Sequence, residues 1–170
     1  MRTTLRCALR IIPSVLLLST GLGACGSLRP AGTLPPGTPI ADARQSLGGP
    51  SGEYALPGGA TRLEFRQGRE TYLLDFDAGG RLASSRQVLT PQTFATIQPG
   101  MTQDDVLTRI GHPAFVFGIG WQQSTVWNYR FGGLDGDCVV FQVSISNATR
   151  MVTEAGPNTD PACDHASERS

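Results

Sequence analysis

The chain repeats itself, and this constrains its fold more than any other feature. Pro36, Gly37, Asp42, Leu47, Gly48 and Pro50 recur as Pro99, Gly100, Asp105, Ile110, Gly111 and Pro113, each 63 positions further on with no gap. Thr61, Leu63, Phe65 and Arg66 recur as Thr125, Trp127, Tyr129 and Arg130 at an offset of 64. Arg81-Leu82 and Arg150-Met151 match at 69, so the connecting turns lengthen along the second copy. The pattern predicts an α+β fold of two copies of one supersecondary unit, residues 34–89 and 90–155. A core of either size alone is marginal, so the two copies are expected to pack together.

Each copy reads as helix, helix, then an antiparallel meander of three strands. In the second copy Thr90 caps a helix, Pro91 suits its first position, and Pro99-Gly100 stops it near Ile97. Thr102 caps the next helix, with Asp104 and Asp105 at its positive end; Val106, Leu107 and Ile110 give an apolar face, and Gly111 and Pro113 end it. The first copy has Thr38 as cap, Pro39 in the first turn, Ile40, Ala43 and Leu47 as apolar face and Gly48 as stop. Its preceding helix is weak or absent. Alternation marks strands at Tyr72, Leu74 and Phe76 and at Phe141, Val143 and Ile145, with Asp77–Gly80 and Ser146-Asn147 as hairpin turns. A sheet with one apolar face needs a cover, which the helices supply.

Ahead of the repeat stands an address. Arg2, Arg6 and Arg10 precede the apolar run Ile11–Leu18, then Leu22-Gly23-Ala24-Cys25. That is the layout of a secretory signal, residues 1–24, too short and broken to span a bilayer. Leu, two small residues and Cys resembles the lipobox of bacterial lipoproteins. The resemblance implies cleavage after Ala24, acylation of Cys25, a tether over residues 25–33, and, with Gly26 next, an outer-membrane anchor facing the periplasm. Two or three acyl chains anchor stably, at roughly 0.8 kcal/mol per buried methylene. In that oxidising compartment Cys138 and Cys163 remain, and the simplest outcome is one disulfide tying down the tail, residues 156–170.

All 14 basic residues are arginine, against 14 acidic ones. Without the leader the balance is slightly negative, with no basic patch of nucleic-acid-binding size, so no nucleic-acid partner is expected. Two cysteines and two distant histidines do not make a metal site, and no cofactor motif is present.

The stretch Ile97-Gln98-Pro99-Gly100-Met101-Thr102, then Asp105-Val106, Ile110-Gly111-His112-Pro113 and Trp127-Asn128-Tyr129, resembles the SmpA/OmlA domain of the BamE family, small lipoproteins of the outer-membrane β-barrel assembly machinery. The likeness covers the second copy and the lipobox; the first copy has Thr38 where Met101 stands in the second. It implies tandem BamE-like units and a non-catalytic accessory or scaffold role, with the membrane and the barrel-assembly machinery as partners. Tandem copies of a related unit also occur in the β-lactamase inhibitor protein fold. The alternative is therefore a periplasmic inhibitor or protein-binding module, expected to show a concave sheet lined by aromatics from both copies.

Catalytic residues are not expected. Asp104 and Asp105 are explained by the helix end, and His112 has no nucleophile or second base linked to it in the sequence. The partner-binding candidates are Met101, in the Pro-Gly-Met turn, and Phe115, Phe117 and Trp121 after the helix stop. Two readings of that stretch stand: a buried edge strand, or an exposed aromatic patch.

Overall fold

In the computed structural model, residues 30–132 and 139–160 are described. They form three helices and eight strands, in two four-stranded antiparallel sheets of meander order. The first unit contains α1 (Ile40–Leu47), β1 (Gly52–Ala55), β2 (Thr61–Gln67), β3 (Glu70–Phe76) and β4 (Leu82–Gln87). The second contains α2 (Pro91–Phe94), α3 (Gln103–Ile110), β5 (Phe115–Ile119), β6 (Ser124–Arg130), β7 (Val139–Ser146) and β8 (Val152–Thr159).

Each sheet has one strand more than the expected three. The added strands, β1 and β5, sit at equivalent edges. Gly52 pairs with Glu64, and Phe115 with Asn128, at the same place in the repeat. Gly52-Glu53-Tyr54-Ala55 is short and has no β-branched residue, so the alternation rule did not mark it. The repeat extends to irregularities. β3 and β4 slip register between Asp75 and Phe76, β7 and β8 between Ser144 and Ile145, the same bulge in both copies. Bulges re-aim a strand and are placed features. The register also corrects the last offset. Phe76 pairs with Leu82, and Ile145 with Val152, so Leu82 answers Val152 rather than Met151. The extra residue lies in the β7–β8 turn, where Arg150 takes φ 60° in the position of Gly80, φ 70°.

Two expected boundaries move. Residues 31–33 form a 3₁₀ turn, and Ala31 and Leu34 are buried in the first core, so the tether ends near Pro30. Ala31 stands where the second copy has Phe94 and Leu34 where it has Ile97; the missing first helix is reduced to this turn. At the other end β8 runs to Thr159, paired with Val139, so the second unit extends past 155. Its edge position tolerates Pro157. The helix α2 is shorter than expected; beyond Phe94 the chain continues as tight turns, with Ile97 N–H donating to Phe94 O.

Caps distinguish the copies. Thr102 and Asp105 form a reciprocal capping box on α3, and Thr90 caps α2. On α1 the N-cap position belongs to Pro39, with no side-chain cap, and the Thr38 hydroxyl donates instead to Pro35 O.

The packing is layered. Leu63, Phe65, Leu74 and Phe76 share one face of the first sheet and bury against Ala43 and Leu47 of α1. Tyr129, Phe141, Val143 and Ile145 share one face of the second sheet and bury against Phe94, Val106 and Ile110 of α2 and α3. The opposite face of the first sheet, carrying Arg62 and Glu64, meets the C-terminal end of α3: Arg62 donates to Thr108 O at 2.6 Å, and Glu64 accepts from His112 N–H at 3.0 Å. The order is thus α1, first sheet, α2 and α3, second sheet. The helices of the second copy serve both sheets. No helix among the described residues is long and apolar enough to cross a membrane.

Candidate binding face and the cluster between the units

β5 follows α3 because Gly111 stops the helix at φ 74° and Pro113 blocks its continuation. It is an edge strand, and it is open. Val116 is 51 % exposed, Phe117 38 %, and Trp121, on the turn into β6, 84 %. It is thus an edge strand, as in the first reading, but not a buried one, and it presents an aromatic surface. Phe115 is half-buried, its ring 6.5 Å from that of Phe117, and the Arg130 guanidinium lies 4.7 Å above it. Arg130 is held by Asp160, whose carboxylate raises its pKa against a smaller effect of burial.

Met101 is not part of that patch. Its carbonyl accepts from Val152 N–H, and Thr102 bridges to Met151, which puts it beside β8. β5 and β8 are opposite edges of one sheet, about 14 Å apart at the usual strand spacing. The Met101 side chain packs partly on the core, and Met151 is the exposed methionine there. Cys25, Cys138 and Cys163 lie outside the described residues.

Among the described residues the first copy has no large exposed hydrophobic side chain. Of its sheet aromatics, Phe65 and Phe76 are buried beneath α1 and Tyr72 is partly buried on the same face.

His112, by contrast, has a linked base. Glu64 is fully buried, and its carboxylate accepts four donors: Ser51 Oγ at 3.1 Å, Tyr54 OH at 2.7 Å, His112 N–H at 3.0 Å and His112 Nδ1 at 2.7 Å. Acceptance by a carboxylate places the imidazole proton on Nδ1. Arg66, two residues along the same face, donates to His112 O and, at 2.8 Å, to Pro113 O. Burial, then the Glu64 carboxylate, push the Tyr54 phenol far above its ordinary value. Burial likewise raises Tyr129, whose hydroxyl donates to Gly111 O at 3.1 Å. Nearby, Asp75 is pushed up by burial but pulled further down by Arg62, bonded at 2.5 and 2.8 Å, and by Arg86, for a net lowering.

The sequence did hold a trace of Glu64. At the offset of 64 it answers Asn128, so both copies keep a polar residue in the middle of their second strand. What it meets, a loop 48 residues away, is a tertiary fact. The carboxylate orients the imidazole, and the Tyr54 hydroxyl, which donates to the same carboxylate, lies 3.3 Å from Nδ1. The geometry does the work of a latch: it pins the α3–β5 turn of one unit to the sheet of the other. No group of three or more potential metal ligands occurs among the described residues.

No family model matches the chain, and no curated protein matches it. Solved structures of weak similarity include a putative β-lactamase inhibitor protein from Streptococcus mutans, at 8 % identity and TM-score 0.34, covering 76 % of this chain and 87 % of that one. A DUF4309 family protein from Bacillus subtilis follows at 9 % and 0.30, covering 72 % and 79 %. A cysteine-rich secretory protein from Staphylococcus aureus has 12 % and 0.27, covering 74 % of this chain and 45 % of that one.

Proposed function

We propose that this protein is an outer-membrane lipoprotein, anchored through Cys25 on the periplasmic side, that binds a protein partner without catalysis. Its two units are BamE-like, and its role is that of a scaffold or accessory factor in β-barrel assembly. The observation that carries the reading is the open β5 edge with its turn, where Val116, Phe117 and Trp121 stand in solvent. Large apolar groups clustered on a surface are what interaction sites are made of, and tryptophan is prominent among the residues that dominate binding energy. The lipobox and the Pro-Gly-Met-Thr and Ile-Gly-His-Pro motifs supply the family link.

The test is a gentle affinity purification of the lipidated protein from its own membranes, beside Cys25→Ala and Trp121→Ala variants. The proposal expects barrel-assembly subunits at near-stoichiometric levels, lost from the Trp121→Ala sample and displaced from the membrane fraction with Cys25→Ala. Recovery of one soluble periplasmic protein in place of those subunits would overturn the assembly role and leave a binding module.

A further inference from the structure

The described residues form four sheet edges, and three of them are protected against adding a strand. β1 is four residues long and carries exposed Glu53, paired with Arg44 at 2.8 Å. β4 begins with its backbone taken up: Leu82 N–H donates to Thr38 O, and Leu82 O accepts from Gly37 N–H. The 3₁₀ turn of residues 31–33 then lies against it, with Ser85 Oγ donating to Ala31 O at 3.3 Å. β8 is treated the same way by Gly100 and Met101, and it adds Glu154 and Pro157. These are the devices by which natural sheets block edge pairing: short strands, charges, proline and covering segments.

Among the described residues β5 has no charge, no proline and no covering segment. Its pairing with β6 runs without a register shift, and no other described strand pairs with it. Val116, Phe117 and Gly118 are exposed in succession, so both faces and the rim between them are open. An edge of this kind leaves a row of N–H and C=O groups that another strand satisfies and a flat apolar surface does not.

We infer that β5 accepts an extended, uncharged segment of the partner protein as a fifth strand of the second sheet, with a large apolar side chain of that segment lying over Gly118. This rests on the binding face proposed above and specifies how that face works. The side chains set the chemistry of the segment. Phe115, Phe117 and Ile119 line one face of the edge, and they call for apolar groups at alternate positions opposite. On the other face Val116 stands next to Gly118, where a Cβ would meet only Ser124 O at 4.0 Å. That space suits an aromatic ring laid across a glycine of the neighbouring strand. A second copy of this chain fills it less well, since antiparallel self-pairing centred on Phe117 sets Val116 opposite Gly118.

The probe is a synthetic peptide of about nine residues, alternating valine and threonine around a central tryptophan, added to the mature chain. Amide hydrogen exchange is read by NMR and affinity by titration. The expected result is saturable binding with slowed exchange at β5, absent for the same peptide with proline at its centre. Along an edge strand successive N–H groups point alternately inward and outward. Of Val116→Pro and Phe117→Pro, the variant that removes the outward N–H is therefore expected to keep the parent's melting transition and bind the peptide at least about tenfold more weakly. Binding without β5 protection, binding that survives the outward proline, no binding at all, or β5 protection that appears with concentration-dependent dimerisation would each overturn strand addition. If the co-purified partner is lost with Trp121→Ala but kept by the outward-proline variant, strand addition fails while the binding face stands.

Discussion

The same position of the repeat holds Glu64 in the first unit and Asn128 in the second, and both side chains are fully buried. Asn128 is satisfied within its own sheet, accepting from Gln142 Nε2 at 2.9 Å and donating to Val126 O at 3.3 Å. Glu64 is satisfied in part by Ser51 and Tyr54 of its own unit and in part by His112 of the other. One unit keeps a neutral amide where the face is its own; the other has an acid where the face meets a neighbour. The edges divide the same way. The first unit's β1 carries a charge, while the second unit's β5 carries aromatics and no charge. The two units share an arrangement and differ in what it carries, the first a contact with its neighbour and the second an outside surface.

The largest effect is expected from removing the acid. Glu64→Ala leaves buried donors from Tyr54, Ser51 and His112 without an acceptor and should lower unfolding free energy by about 3–5 kcal/mol. Asn128→Ala should cost about 1–3 kcal/mol, since fewer donors lose their partner. Urea titrations of the two variants would erase the contrast if they proved equal.

The helix stops sharpen it. Gly48 and Gly111 have the same backbone, φ 87° and 74° with ψ near −165°, a region for glycine alone. A Cβ at Gly48 meets nothing within 4 Å, whereas one at Gly111 would lie 2.7 Å from Glu64 Cδ and 3.0 Å from Thr71 Cγ2. Gly48→Ala should cost the backbone strain, about 1–3 kcal/mol. Gly111→Ala should exceed it by a further 1–3 kcal/mol or so as the latch is pushed apart, read by the same titrations.

Smaller again are the caps. Thr102→Ala removes a capping box and is expected to cost about 1 kcal/mol, while Thr38→Ala, with no cap to lose, should fall within about 0.5 kcal/mol of the parent. Equal melting temperatures for the two would contradict the assignment.

The least effect is one of pH. The folded pKa of Asp75 is depressed, so the stability it contributes is present above the unfolded carboxylate value near 3.9 and fades as pH falls through the lower folded value. Its Arg62 partner also donates to Thr108 O of α3. Between neutral pH and pH 3, an Asp75→Asn variant should therefore lose less stability than the parent, measured by urea midpoints.

Much of the second unit could be read from its residues. Thr102, Asp104 and Asp105 announce a helix start, and Gly111 with Pro113 announces its end, because capping and φ restriction are local chemistry. The repeat offset of 64 puts β2 and β6 in register from the residues alone. β1 was not legible, since Gly52–Ala55 is a strand only through its pairing with β2. Residues 31–33 read as tether because a Gly- and Pro-rich segment gives no periodic signal; Ala31 is buried by strands remote from it in the chain.

By itself, then, the sequence determined the self-similarity of its two halves, the helix ends and the strand alternation, all of which depend on residues near one another or on bare self-comparison. Tertiary structure alone decided that α2 and α3 lie between the sheets, that His112 finds Glu64, that Met101 and Phe115 stand at opposite edges, and that β5 is left open. Those outcomes depend on which faces meet. An apolar alternation fixes that a face is buried, but two similar units offer more than one way to bury it, and packing selects among them.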